Sequence, residues 1–101
     1  MKAIFPDVGK GYIVFSVHGM IKINIEAFAI LRDFFGKEFL EYEVPEGTTA
    51  QELLKLIAES YPQSEQILNV TRVAHRDEYL SHDEVLIENG SYSLIPPVSG
   101  G

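Results

Sequence analysis

Residues 49–62, TAQELLKLIAESYP, predict the longest helix of this chain. Two pairs, Thr49 with Glu52 and Thr48 with Gln51, have the spacing of a capping box, in which each side chain bonds the backbone N–H of the other residue. Pro62 ends the pattern, because a proline inside a helix removes a backbone donor and clashes with the preceding turn. Apolar residues recur between these limits and form a single stripe: Ala50, Leu53, Leu54, Ile57 and Tyr61. This helix, predicted over 49–60, needs an apolar surface to pack against.

Several short strands flank the helix and supply such a surface. Residues 21–27, IKINIEA, and 39–44, FLEYEV, alternate apolar with polar side chains, as strands with one buried face do. Further strands are predicted at 70–75, 78–80 and 91–95, and short helical segments at 28–35, ending at Gly36, and at 63–68. This order predicts an α+β domain, a mixed sheet with one main helix packed across one face.

The composition limits the classes of function. A length of 101 residues fits one domain, and the absence of cysteine removes disulfides and thiolate chemistry and agrees with a cytoplasmic location. A formal net charge of −7 argues against nucleic acid and anionic membranes as partners. His18, His75 and His82 show no metal-ligand spacing, so no metal site is expected. No phosphate-binding glycine motif is present, so any ATP chemistry belongs to a partner.

The last residues, IPPVSGG at 95–101, have the form of a deliverable C-terminus. Pro96 and Pro97 favour an extended exit from the sheet. Gly100 and Gly101 make a thin, conformationally free end whose carboxylate no side chain shields. The tail is therefore predicted to carry chemistry at Gly101 into another protein's active site, although glycine pairs also occur at ends without function.

Residues 20–101 resemble the MoaD-like small subunits of molybdopterin synthase, which are ubiquitin-fold sulfur carriers. The similar segments are FAILRDFFGKE at 28–38, VPEGTTAQELLKLIAESYP at 44–62, VAHRDEYL at 73–80 and IPPVSGG at 95–101. The hairpin turn Arg76-Asp77 replaces the family's Asn-Gly, and HDEVLIENGSYSL replaces its usual Pro-Leu-x-Asp-Gly-Asp-Glu-Val. These departures concern a turn and a loop, and so affect partner contacts more than the fold.

The resemblance implies a β-grasp fold and a sulfur carrier for molybdenum cofactor (molybdopterin) biosynthesis. A ubiquitin-activating-type adenylyltransferase would use ATP to adenylate Gly101, with Gly100 beside it. Sulfur would then replace the adenylate to give a thiocarboxylate at Gly101. This thiocarboxylate would donate its sulfur to the pterin precursor in the large synthase subunit. The chain itself would bind no cofactor and would be a non-catalytic, sulfur-donating subunit of a sulfurtransferase complex.

The resemblance also implies residues for partner binding. Phe28, Tyr79 and Ile95 fall where the family has an exposed apolar patch near the tail, with core packing as the alternative for each. Arg32 is expected on the exposed side of the short helix, either in an interface or solvated. Pro96 and Pro97 complete the expected partner contacts.

Three other functions remain open at this stage. A thiazole-pathway (ThiS-like) carrier would use the same chemistry, but such chains are usually shorter and lack the two prolines. A ubiquitin-like modifier would conjugate through Gly101 to protein lysines. An interaction domain with an inert tail would not need Gly101. The sequence leaves open the sulfur source and the choice between molybdenum and tungsten.

Residues 1–19 precede the resemblance and are treated as an extension, with 20–101 as the domain and 96–101 as its flexible tail. The segment YIVFSV at 12–17 reads as a strand. Since the first strand of a β-grasp sheet is paired on both sides, this segment has no place beside it. Disorder of residues 1–19 and an alternative start site remain open. An exposed apolar strand promotes aggregation, which favours packing on the domain or a homo-oligomer contact through these residues over disorder.

Overall fold

The computed structural model describes residues 19–97. The strands are β1 (Met20–Ala27), β2 (Phe39–Pro45), β3 (Arg72–His75), β4 (Glu78–Tyr79) and β5 (Ser91–Ile95). The helices are α1 (Ile30–Phe35), α2 (Ala50–Ser60) and α3 (Glu65–Leu68), with a 3-10 turn at Pro62–Ser64 before α3. The predicted strand at 12–17 lies outside the described residues.

The five strands form one mixed sheet in the order β2-β1-β5-β3-β4. The first strand, β1, lies between β2, which is antiparallel to it, and β5, which is parallel. The third strand, β3, pairs antiparallel with both β5 and β4. The predicted α+β architecture is confirmed, and β1 has a neighbour on each side as expected.

The core lies on one side of this sheet, called the inner face, under α2. Alternate residues of each strand point there because the side-chain period of a strand is two. The strand contribution includes Ile21, Ile23, Ile25, Val44, Val73, Tyr92 and Leu94, all buried. The helix adds Ala50, Leu53 and Ile57 of the predicted stripe, whereas Leu54 and Tyr61 are half-buried at its margin.

Local signals fix the helix ends. Of the two pairs with capping spacing, Thr49 and Glu52 form the box of α2: the Glu52 N–H donates to Thr49 Oγ1 over 3.2 Å, and the Thr49 N–H donates to Glu52 Oε1 over 3.1 Å. The Thr48 hydroxyl donates to the Pro45 carbonyl instead. Gly36 ends α1 in the left-handed conformation, with φ 78°, which glycine adopts without strain. The predicted turn at 76–77 also forms, with φ of 55° at Arg76 and 68° at Asp77.

Two predicted boundaries are wrong. The strand placed at 70–75 begins at Arg72, because the N–H groups of Val70 and Thr71 still donate to Ile67 and Leu68 of α3. The helical segment placed at 28–35 begins at Ile30, since Phe28 and Ala29 form a turn after β1. Within residues 19–97, no helix is long and apolar enough to cross a bilayer.

Candidate functional site

The root of the C-terminal tail lies at the centre of the sheet. The chain leaves β5 after Ile95, which pairs with Arg72 of β3. Pro96 is buried and Pro97 is exposed. Gly100 and Gly101 lie beyond the described residues, so their predicted role stays a prediction.

An apolar depression of about 700 Å³, called the root groove, opens beside this point. The residues that line it all have apolar side chains: Phe28, Ala29, Ile30, Ile67, Ile95, Pro96 and Pro97. Phe28 is 38% exposed and Ile30 is 43% exposed. Contiguous exposed apolar surface is common at interaction sites, so the groove is a candidate for one.

A strained turn between β1 and α1 shapes the groove. Ala29 has φ 55° and ψ −129°, a conformation that residues other than glycine rarely adopt. The turn is held by two backbone bonds, from the Leu31 N–H to the Phe28 carbonyl and from the Arg32 N–H to the Ala29 carbonyl, each 3.1 Å. As a result Leu31 enters the core, while Phe28 and Ile30 remain on the surface.

A second depression, called the acidic trough, adjoins the groove on the outer face of the sheet, opposite α2. It encloses about 370 Å³ and shares Phe28 and Ile95 with the groove. The other lining residues are Glu26, Ala74, Asp77, Tyr79 and Ser93. The trough thus contains two carboxylates, whereas the root groove contains none.

The strand register assembles the trough from four strands. Glu26 of β1 pairs with Ser93 of β5, Ser93 pairs with Ala74 of β3, and Ala74 pairs with Tyr79 of β4. The small side chains of Ser93 and Ala74 form the floor between Glu26 and Tyr79. Tyr79 is 54% exposed, and its ring lies 4.2 Å from the guanidinium carbon of Arg72, a cation–π contact.

The structure brings most of the predicted partner-binding residues together. Phe28 and Ile95 line both depressions, Tyr79 lines the trough, and Pro96 and Pro97 line the groove. Because Pro96 is buried, it forms part of the groove wall rather than an exposed contact. Arg32 is exposed as expected but lines neither depression. Whether these residues contact a partner stays a prediction.

Sequence reasoning missed the other lining residues. The exposure of Ile30 could have been predicted, since Ile30 lies outside the buried stripe that Leu31 and Phe35 form on the short helix. Ile67, Glu26 and Asp77 carry no local signal, because only the packing of α3 and the strand register bring them to the site.

Two of the three histidines, His75 and His82, lie within the described residues. No group of three metal-ligating side chains occurs within residues 19–97. His75 Nδ1 lies 2.9 Å from the Ser91 carbonyl oxygen, and its ring lies 4.9 Å from that of Tyr92. These two contacts hold the His75 ring against β5. His18 lies outside the described residues.

A mixed five-stranded sheet with α2 packed across one face is the architecture of the ubiquitin-like β-grasp class. Residues 25–101 match the model of the ThiS family. The chain belongs to this family, as a MoaD-like carrier of the ubiquitin fold.

Curated relatives share most of the chain. A molybdopterin synthase sulfur carrier subunit from Caenorhabditis elegans is 32% identical over 84 residues, covering 81% of this chain and all of the relative. The protein of that name from Dictyostelium discoideum is 31% identical over 83 residues, covering 79% of this chain and 96% of the relative.

Solved structures confirm the β-grasp fold. SAMP1, the small archaeal modifier protein 1 of Haloferax volcanii, has a TM-score of 0.67 at 22% identity, covering 79% of this chain and 99% of its own. A complex of subunits 1 and 2 of the molybdopterin-converting factor from Helicobacter pylori contains a chain with a TM-score of 0.57 at 21% identity, covering 80% of this chain and 100% of its own. At these identities the likeness concerns the fold alone.

Proposed function

We propose that this protein is the sulfur-carrying small subunit of molybdopterin synthase. The observation that carries the proposal is the root groove, an apolar surface lying where the Gly-Gly tail leaves the domain. A carrier needs such a surface beside the tail, because docking must place the tail in an active site. The names of the curated relatives support molybdopterin rather than thiazole synthesis.

The chemistry takes place at Gly101 in two steps. A carboxylate oxygen of Gly101 attacks the α-phosphate of ATP on an adenylating enzyme, and pyrophosphate leaves. A hydrosulfide-level sulfur nucleophile then attacks the acyl carbon, and AMP leaves with its oxygen, which gives a thiocarboxylate. Activation makes a poor acyl group reactive by splitting one difficult step into two. The domain binds no cofactor of its own in this scheme.

The acceptor is the pterin precursor, held by the large subunit. The thiocarboxylate sulfur attacks a carbon of the precursor and displaces an oxygen group from it, which gives a thioester. Water then cleaves this thioester, leaving the sulfur on the precursor and restoring the Gly101 carboxylate. The Helicobacter pylori complex supports a second subunit as partner, because its name pairs subunits 1 and 2 of the molybdopterin-converting factor. The root groove would bury its apolar side chains against that subunit, with Phe28 and Ile95 at the centre of the contact.

A second candidate function is protein modification through Gly101. The structural likeness to SAMP1 favours it, since that protein's name describes a modifier. An activated C-terminal glycine serves both outcomes, and only the acceptor differs.

Intact mass spectrometry tests the proposal. The full chain is incubated with ATP, a sulfur donor and the adenylating enzyme of its host, beside a variant lacking Gly101. We expect one oxygen to be replaced by one sulfur at the C-terminus of the full chain and no change in the variant. Higher-mass adducts on lysines would favour the modifier. An unchanged mass, with the enzyme active on another carrier, would refute the carrier function and favour the modifier or an interaction domain with an inert tail.

A further inference from the structure

The far edge of β2 is the longest strand edge that has no partner strand within residues 19–97. The strand β2 lies at one end of the sheet and pairs there with β1. In this antiparallel register the even-numbered residues from Glu38 to Glu46 carry the backbone bonds toward β1. The N–H and C=O groups of Phe39, Glu41 and Glu43 consequently point toward the far edge.

A strand edge of this kind is a template for pairing with another strand. The edge strand at the opposite end of the sheet, β4, has only two residues and supplies no comparable template. The strand pattern YIVFSV at 12–17, in turn, has no place beside β1, because β2 and β5 already flank it. The edge without a strand and the strand without a place in the sheet are therefore candidates for each other.

The side chains of residues 12–17 suit the far edge of β2. Because side chains alternate along a strand, Ile13, Phe15 and Val17 share one face and make it fully apolar. On the inner face of β2, Leu40 and Tyr42 are half-buried at the margin of the core. A strand added beside β2 would continue this margin with apolar side chains.

Charge favours the same pairing. Residues 1–19 carry two lysines and one aspartate, a net charge of +1, whereas residues 20–101 carry a net charge of −8. The strand β2 itself contains two glutamates and no basic residue. Two β2 edges would therefore repel each other if they met directly, whereas the N-terminal extension has the opposite charge to the domain.

The length of the connection decides which molecule supplies the strand. The Glu46 N–H donates to the Gly19 carbonyl over 3.0 Å, which keeps Gly19 on the line of β1. The far side of β2 is two strand spacings from that line, about 9.5 Å. Two residues of extended chain span at most about 7 Å, so Val17 cannot lie beside β2 of its own molecule. In a second copy stacked end to end with the first, β2 can lie beside the straight continuation of β1.

We propose that residues 12–17 of one copy add a strand to the far edge of β2 in a second copy, and that the exchange is reciprocal. The product is a two-fold symmetric dimer in which the same contact occurs twice. The root groove lies at the other end of β1, where Ala27 pairs with Leu94 shortly before the tail. The inference is therefore independent of the proposed function.

Light scattering coupled to size exclusion measures the oligomeric state over a wide range of concentrations. We expect the full chain at twice its mass of 11.3 kDa, and a chain that begins at Met20 as a monomer. Phe15→Asp puts a charge into the added strand and should also give the monomer. Phe5→Asp is the matched control, because it puts the same charge into the extension outside residues 12–17, and it should remain a dimer.

Glu41→Pro tests the edge itself. The Glu41 N–H points away from β1, so proline removes a donor of the far edge while the bonds to β1 remain. We expect a monomer whose thermal unfolding remains cooperative. Amide hydrogen exchange gives a readout without this variant: the Glu41 and Glu43 N–H groups should exchange at least about tenfold more slowly in the full chain than in the chain that begins at Met20.

Three results would overturn the inference. A full chain that stays monomeric at every concentration exchanges no strand, and slow exchange at Glu41 would then assign the added strand to its own molecule. A dimer that persists in the chain beginning at Met20 forms through another surface. A dimer that Phe15→Asp abolishes, but in which the Glu41 and Glu43 N–H groups exchange as fast as in the shortened chain, would place the extension at a site other than β2.

Discussion

The two faces of the sheet are built from the same strands but differ in burial. On the inner face, Ile23 and Ile25 of β1 are sealed under α2. On the outer face of the same strand, Lys22 and Asn24 are exposed, and Glu26 lines the acidic trough. Because side chains alternate along a strand, one sequence specifies both surfaces. Substitutions on the inner face should therefore change stability, and those around the tail root should change binding.

The largest expected effect is on the inner face. Leu53→Ala removes a fully buried side chain of α2 and leaves a cavity under the sheet. Substitutions of this kind cost about 2–5 kcal/mol. Urea unfolding should show this loss relative to Lys55→Ala, an exposed position on the same helix. Equal stability of the two variants would mean that the Leu53 side chain is not packed between α2 and the sheet.

The second prediction concerns a side chain at the tail root, where a substitution should change binding rather than stability. Phe28→Ala removes a side chain shared by the root groove and the acidic trough. Affinity for the large subunit should fall about tenfold to a hundredfold, as at an interface hot spot, while the free energy of unfolding changes by less than about 1 kcal/mol.

Phe39→Ala is the control for Phe28. Phe39 is 64% exposed but lines neither depression. If both phenylalanine variants bound the large subunit equally, the two depressions would not be the docking surface.

A smaller effect concerns the start of α2. Thr49→Ala removes the side-chain oxygen that accepts the Glu52 N–H bond. Loss of such a cap costs about 1 kcal/mol, and thermal unfolding should detect it. Thr49→Ser retains the oxygen and should keep most of the stability. A loss as large with serine as with alanine would show that the methyl group, not the cap, is responsible.

The smallest effect is expected for the pair Lys22–Glu41 on the outer face. The Nζ and Oε1 atoms lie 4.0 Å apart, and both side chains are well exposed. An exposed ion pair of this geometry contributes about 0–1 kcal/mol. Glu41→Gln should therefore leave the free energy of unfolding, measured by chemical denaturation, almost unchanged. A loss of stability as large as that of Leu53→Ala would contradict the expectation that only the inner face determines stability.

Local chemistry made most of the fold predictable. The Thr49–Glu52 box, the alternation of Ile21, Ile23 and Ile25, and Gly36 each specify an element from neighbouring residues alone. The start of β3 was misjudged because Val70 is β-branched, yet its N–H remains bonded to Ile67 of α3. The strand propensity of Val70 does not indicate that its backbone N–H is still bonded to the preceding helix.

The site was less predictable because it is made by long-range pairing. The resemblance pointed to Phe28, Tyr79 and Ile95, but nothing near Glu26 in the sequence indicates that it shares a depression with Asp77. Only the register from β1 through β5 and β3 to β4 connects them. Likewise, the burial of Pro96 follows from packing at the tail root rather than from the prolines themselves.

The parallel pairing of β1 with β5 also makes the tail root a mechanical anchor. Both strands point the same way, and β5 is held on its other side by β3. A pull on the tail runs along β5, so it shears several backbone hydrogen bonds together instead of opening them one at a time. Forced unfolding is governed by the rate of unfolding, and a domain attached in this way is expected to unfold slowly under such a pull. Under the proposed function, this arrangement would let the tail be drawn into a narrow active site and withdrawn while the domain stays folded.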